Sequence, residues 1–183
     1  MLEVNFSPFP EIRTSRLLLR CIALTDASAL FYLRSTDETM QYIDREKLLN
    51  VAEAEVLIQK ILDSLNSNDG IMWCISLIDK PEILIGTIGH WRLMKQHYRA
   101  EVGYMLHPDH WNKGIMKEAL LAVIDYGFNK MNLHSIEAHI NPDNIASAML
   151  LEKAGFKREA YFKEDFFFRG RFIDTAIYSL LAP

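Results

Sequence analysis

A chain of 183 residues fits one domain at roughly 150 residues per domain, and a second would be cramped. Its 50% apolar and 24% charged content excludes intrinsic disorder, whose signature is low hydrophobicity with high net charge. A net charge of −4 provides no global attraction to nucleic acid or to an anionic membrane surface. Cys21 and Cys74 form no CxxC pair, so two buried apolar thiols are expected rather than a metal cluster or disulfide framework. Residues 1–20 have no signal-peptide pattern and no stretch reaches 18 apolar residues, so a cytoplasmic protein is expected.

In chain order, residues 16–21 predict a strand, and Thr25 is placed to cap a helix through Tyr32. Asn50 with Glu53 resembles a capping box, and residues 51–65 repeat apolar side chains at helical spacing. Residues 72–78 and 83–91 predict an antiparallel hairpin around Pro81. In the next strand, 99–106, Ala100, Val102, Tyr104 and Leu106 share one face; Glu101, Gly103 and Met105 share the other. A loop at 107–114 leads into a long helix, 115–130, and then a strand at 135–140. A helix at 145–153 ends at Gly155, and residues 161–168 and 172–180 form a last hairpin. The fold class is therefore α+β: one domain, 1–183, with a largely antiparallel sheet. Its one βαβ unit, residues 99–140, is where the chemistry is expected.

Gly114 opens the long helix directly after a strand and loop. Free N–H groups and the positive end of a helix dipole meet there, with Lys113 and Lys117 beside them. Such a place suits a phosphate, but neither GxxxxGK[ST] nor GxGxxG is present. By itself the feature is equally a plain strand-to-helix turn.

The run Ala100-Glu101-Val102-Gly103-Tyr104-Met105-Leu106, followed by Trp111-Asn112-Lys113-Gly114-Ile115-Met116-Lys117-Glu118-Ala119, resembles the acetyl-CoA signature of the GNAT N-acetyltransferases. Asn144 to Ser147, Leu151 to Phe156, and the hairpin with Gly170, Asp174 and Tyr178 continue the match through residues 11–181. The RimJ/RimL-type branch, which acetylates N-termini of ribosomal proteins, is the most similar. The resemblance implies a bent sheet flanked by helices and splayed between 99–106 and 135–140, with the pantetheine arm in the gap. It implies that acetyl-CoA is the co-substrate, with backbone near Met105 and Leu106 pairing with pantetheine. Asn112, Lys113, Gly114, Ile115, Met116 and Lys117 would cradle the pyrophosphate. Two positions depart from the superfamily pattern: Trp111 replaces a common Arg or Gln, and Met116 a small residue.

Acetyl transfer needs a neutral amine, an oxyanion stabiliser and a proton for the departing thiolate. Glu101 is a candidate base, or else a structural ion pair; it lies about 13 Å from Met105 along the strand at ~3.3 Å per residue. Leu151 replaces the tyrosine that many superfamily members use as acid. Ser147, one helical turn earlier, could hydrogen-bond the CoA sulfur, or be a surface hydroxyl. Asn144 could bind CoA or cap its helix. His97, His107 and His110 read as exposed loop residues, and no metal site is expected. Glu137 and His139 share a strand face without a nucleophile. The aromatics Phe162, Phe166, Phe167, Phe168 and Phe172 read mostly as packing, with one side free to line an acceptor pocket or interface.

The leading reading is direct acetyl transfer to a primary amine, best a protein or peptide N-terminus, by a monomer or homodimer. No nucleic acid or membrane partner is expected. A non-catalytic acyl-CoA-binding module, a polyamine, amino-acid or antibiotic acetyltransferase, and, less favoured, a nucleotide-binding protein are the alternatives.

Overall fold

The computed structural model describes residues 1–183. Eight strands form one sheet: β1 (Ile12–Arg13), β2 (Leu17–Arg20), β3 (Ile71–Leu77), β4 (Gly86–Met94), β5 (Arg99–Leu106), β6 (Ser135–Ile140), β7 (Lys157–Phe168) and β8 (Arg171–Leu181). Their spatial order is β1-β2-β3-β4-β5-β6-β8-β7. The helices are α1 (Ala27–Ser35), α2 (Asp37–Met40), α3 (Val51–Asn66), α4 (Ile115–Asn129) and α5 (Ile145–Lys153). No helix is long and apolar enough to cross a membrane. This is the expected single α+β arrangement, and the βαβ unit falls where the hydrophobic periodicity put it.

Two apolar cores cover the two sheet faces. Ala119, Leu120 and Val123 of α4 pack with Ile88, Ala100, Val102 and Ile136 on one face, where Leu151 of α5 joins them. Leu30 and Leu33 of α1 and Ala54 and Ile58 of α3 pack with Cys74 and Leu84 on the other, and Met105 lies against this group. The period-2 reading of β5 thus holds: its even residues feed the α4 core, while Met105 faces α1 and α3.

Several local expectations are corrected. Thr25 does not cap α1. The buried Asp26 accepts the Ala23 N–H at 2.9 Å and binds Arg20 through two hydrogen bonds of 2.7 and 2.8 Å. Ile83 to Ile85 are not in β4, because two successive turns, Lys80 N–H to Leu77 O and Ile83 N–H to Lys80 O, consume the polar link first. Asn50 caps α3 by accepting the Glu53 N–H, and the Glu53 carboxylate answers at Leu49 N–H. The aromatics of the last hairpin are not core: Phe166, Phe167 and Phe172 are exposed. The reason is topological. β6 stops opposite Ala176, so residues 162–175 form a two-stranded ribbon with no third strand beside it. Both cysteines are free; Cys74 is buried, as expected, but Cys21 is only half-buried.

The α4 core is tight at one point. A Cβ on Gly127 would lie 2.9 Å from His90 Nε2, 3.0 Å from Ile136 Cδ1 and 3.2 Å from Leu133 Cδ1. His90 is fully buried and held by the Val123 carbonyl at 3.0 Å, so it cannot swing away. Gly127→Ala is expected to destabilise the fold by about 1–3 kcal/mol despite alanine's better helix propensity. Denaturant unfolding measures this; an unchanged or raised stability would show that the neighbours yield freely.

Candidate active site

β5 and β6 are the one parallel pair in the sheet. They are in register only at Arg99–Glu101 with Ser135–Glu137. Beyond Glu101 the two strands part, while β5 continues against β4 as far as Leu106. The splay expected between 99–106 and 135–140 is present. Backbone parity decides what faces it. Tyr98 O accepts from Ser135 N–H on the β6 side, whereas His107 N–H donates to Ile85 O on the β4 side. With a two-residue period, Tyr104 and Leu106 direct their peptide groups into the gap, and Met105 directs its own towards β4. Trp111 Nε1–H donates to the Leu106 carbonyl at 2.8 Å. Of the two residues expected to face pantetheine, only Leu106 has the right parity, and Tyr104 is the other.

At the end of the gap the chain turns through Asn112 (φ +57°) and Gly114 (φ +73°), both left-handed, and enters α4. The amide N–H groups of residues 112–117 donate to no group in the protein; the first helical bond of α4 is Glu118 N–H to Gly114 O, 3.1 Å. Six successive free donors at a helix N-terminus form an anion cradle. Met116 does not obstruct it, because its side chain packs against the α4 core. Lys113 and Lys117 are exposed beside it, and Lys113 Nζ donates to the Asp109 carbonyl at 2.6 Å.

Glu118 fastens this turn to the start of β2. Its Oε1 accepts from Thr14 Oγ1 at 2.6 Å, Ser15 Oγ at 2.9 Å and Arg16 N–H at 2.9 Å, and its Oε2 from Arg16 Nε at 2.7 Å. Arg16 Nη1 then reaches the Lys113 carbonyl at 2.9 Å. Desolvation pushes the carboxyl pKa up, but the bonds from Thr14, Arg16 and Ser15 more than offset it and hold it at about 2.

Glu101 and Ser147 lie on opposite sides of the sheet. Glu101 is buried, with Arg92 Nη1 at 3.0 Å from its Oε2. Glu137, in register with it on β6, and His139 bring their ligand atoms within 4.8 Å of it and of one another. Arg99 Nε lies 3.5 Å from Glu137. Burial raises the Glu101 pKa, and Glu137 adds to this, while His139 and Arg92 oppose it. On the α4 side, the buried Ser147 hydroxyl is 2.7 Å from the Tyr104 hydroxyl. Desolvation pushes the Tyr104 phenol up to about 12, against the opposing hydrogen bond. Asn144 Oδ1 accepts the Ser147 N–H at 3.1 Å, so this side chain caps α5. Among the loop histidines, His97 is exposed, whereas His107 and His110 are half-buried and Tyr32 stacks on His107.

The Acetyltransferase (GNAT) domain model matches residues 16–157. The chain belongs to the GNAT acetyltransferases. The uncharacterised N-acetyltransferase YoaA of Bacillus subtilis (strain 168) is 38% identical over 175 residues, which cover 96% of this chain and 98% of YoaA. The crystal structure of Vibrio cholerae spermidine N-acetyltransferase in complex with CoA and spermine superposes with a TM-score of 0.81 at 27% identity, covering 92% of this chain and 96% of that one. The Escherichia coli (strain K12) [ribosomal protein uS5]-alanine N-acetyltransferase is 32% identical over 106 residues, covering 57% of this chain and 54% of its own. This GNAT chain is thus similar both to an enzyme named for a polyamine and to one named for a ribosomal-protein alanine, in keeping with the RimJ/RimL-like resemblance.

Two features of this GNAT site were not read from the sequence. Tyr104 reads in the sequence as one residue of a core face, and the resemblance points to position 151 for a tyrosine; the signal for Tyr104 is its even position on the part of β5 that adjoins the gap. Glu137 and His139 read in the sequence as a strand-face pair without a nucleophile; that they meet Glu101 depends on the β5–β6 register.

The folded-state pKa of Glu118 lies below its ordinary 4.5, so its contribution to stability is complete above that value and is lost as pH falls towards 2. Glu118→Gln is expected to be less stable than the parent at pH 7, with the difference closing between pH 4.5 and 2. Thermal melts across that range test this; a difference independent of pH would assign the loss to packing.

Proposed function

We propose that this acetyltransferase transfers acetyl from acetyl-CoA directly to an α-amine, preferably the N-terminus of a protein or peptide. The six unpartnered N–H groups of residues 112–117, at the mouth of the gap between β5 and β6, carry this reading. Asn112, Lys113, Gly114, Ile115, Met116 and Lys117 would hold the pyrophosphate. The peptide groups of Tyr104 and Leu106 would face the pantetheine arm, with Met105 beside it and Asn144 placing Ser147 at its far side. Acetyl-CoA supplies a thioester whose acyl carbon passes from sulfur to the amine nitrogen.

The two faces of the sheet divide the proton work. Glu101, on the α1–α3 side, takes the proton lost by the amine, directly or through water. Ser147, on the α4 side, donates a hydrogen bond to the sulfur as it becomes a thiolate, while the Tyr104 hydroxyl donates to Ser147. A free serine is a weak acid, but a serine bonded to a tyrosine hydroxyl has a second donor behind it. The base is modest, which favours an acceptor that is easily neutral. At pH 7 a lysine amine of pKa about 10.4 costs about 4.6 kcal/mol to deprotonate, and an α-amine near 7.8 about 1.1 kcal/mol. Neither cysteine adjoins the gap, so no covalent acetyl-enzyme is expected.

Gly114→Val cannot keep a left-handed φ without strain. It is expected to displace the cradle and weaken CoA binding at least tenfold, about 1.4 kcal/mol, by calorimetry. Unchanged affinity in the folded variant would move the cofactor elsewhere. Glu101→Gln is expected to lower turnover about 10- to 1000-fold at pH 7 with acetyl-CoA binding intact, and to recover as pH rises and solvent supplies the neutral amine. Thiol release from acetyl-CoA against a panel of N-terminal peptides, lysine peptides and polyamines tests the whole reading. Preference for internal lysines or spermidine would overturn the acceptor class, and CoA binding without release would leave a non-catalytic module.

A further inference from the structure

On the α1–α3 side of the sheet, next to the gap, stands a group of arginines without anions. Arg34, on the last turn of α1, makes one side-chain contact, from Nη1 to Met105 Sδ at 3.8 Å; its Nε is buried with no hydrogen-bond partner. Arg45, in the loop after α2, lies over the Trp91 ring at 4.8 Å. Neither is within 4.0 Å of a carboxylate, although seven other arginine or lysine side chains in the molecule are. Burial and the neighbouring Arg45 both push the Arg34 pKa down, as for a cation held without its counter-charge.

Trp91 joins these arginines to the reacting region. Its Nε1 would lie 3.3 Å from a Cβ on Gly103, so the indole covers the β5 backbone at that glycine. That N–H is itself buried and unpartnered. Arg92 stacks on the same ring at 4.4 Å and carries on to Glu101. The order along this surface is therefore Arg34 and Arg45, then Trp91 over Gly103, then Glu101.

Arg45 also lines a cleft on the same side of the molecule. A cleft of about 380 Å³ opens between the α2 loop and the tip of the β7–β8 hairpin. Its charged lining is Arg45, Lys47, Arg169 and Arg171 against Asp37 and Asp44. Lys47 is neutralised by Asp37, and Arg169 by Glu46, whereas Arg45 and Arg171 have no ion-pair partner within 4.0 Å. A concave surface on which basic side chains outnumber acidic ones favours an anion over a polyamine.

We infer that the acceptor carries a carboxylate close to its amine, and that Arg34 and Arg45 receive this carboxylate while the amine points to Glu101. The inference rests on the acetyltransferase reading above and narrows its acceptor. Planar guanidinium groups recognise carboxylates through their N–H donors, and Arg34 Nε has no acceptor in the protein. The carboxylate has two possible sources: an acidic side chain near a peptide N-terminus, or the α-carboxylate of a free amino acid.

The test is thiol release from acetyl-CoA with matched acceptors. Peptide amides beginning with Asp or Glu are compared with their Asn and Gln counterparts, and free aspartate and glutamate with spermidine. The acidic member of each pair is expected to have a kcat/KM at least tenfold higher. Arg34→Gln and Arg45→Gln should each reduce that preference at least fivefold, through KM for the acceptor, with KM for acetyl-CoA held. Acidic peptides ahead of free amino acids would assign the carboxylate to a side chain, and the reverse order to the α-carboxylate. Equal use of the amide counterparts, or preference for spermidine, would overturn the inference while leaving acetyl transfer standing. Calorimetry of Asp-Ala-amide against Asn-Ala-amide on the CoA-bound protein supplies a readout independent of turnover. Selective binding of the acidic dipeptide without thiol release would sink the acetyltransferase reading and keep the charge preference; binding without selectivity would overturn the charge preference itself.

Discussion

The parting of β5 from β6 is the constraint on which the site depends. Three residues of parallel ladder hold the two strands together, and after Glu101 they separate. A parallel pair requires a crossover, and α4 supplies it. The separation leaves β5 peptide groups on its inner side without a strand partner. A backbone polar group in such a position needs another donor or acceptor. Trp111 serves one, at the Leu106 carbonyl, and the rest face the gap. A sheet that closed normally at this point would have a complete ladder and no place for an extended ligand.

The crossover also sets the cradle. To pass from the end of β5 into α4, the chain uses two left-handed residues within three positions, Asn112 and Gly114. That geometry leaves six successive N–H groups without a protein acceptor before the helix begins its own bonding at Glu118. Glu118 then secures the turn from behind, through Thr14, Ser15 and Arg16. Free donors on one side of the turn and a satisfied carboxylate on the other give a cradle that is rigid without being filled by its own side chains.

Because the gap passes through the sheet, its two faces can carry different chemistry. The α4 side offers hydroxyls, Tyr104 and Ser147, in direct contact. The α1–α3 side offers acidic and basic side chains: Glu101 with Arg92, Glu137 with Arg99 and His139, and further along Arg34 and Arg45 around Trp91. In the proposed reaction the hydroxyls would serve the sulfur that gains charge, and the carboxylate the amine that loses a proton, with a layer of backbone between them.

Much of this was legible in the residues alone. The strand at 99–106, the helix from Ile115 and the strand at 135–140 follow from hydrophobic period, and Gly114 marks the helix entrance, because local backbone preference and side-chain alternation act over a few residues. The family resemblance rests on the same stretch. What escaped the sequence lies in contacts between distant segments. The turn at Asp26 was assigned to Thr25, since the buried pairing of Asp26 with Arg20 is invisible locally. The aromatic hairpin read as core because nothing in residues 161–172 records that β6 ends opposite Ala176. Tyr104 beside Ser147, Glu101 beside Glu137, and Arg34 under Met105 each join residues 36 to 71 positions apart. Only the register of the sheet and the packing of α1 and α5 decide those meetings, because side-chain chemistry is written in the sequence and proximity is written in the fold.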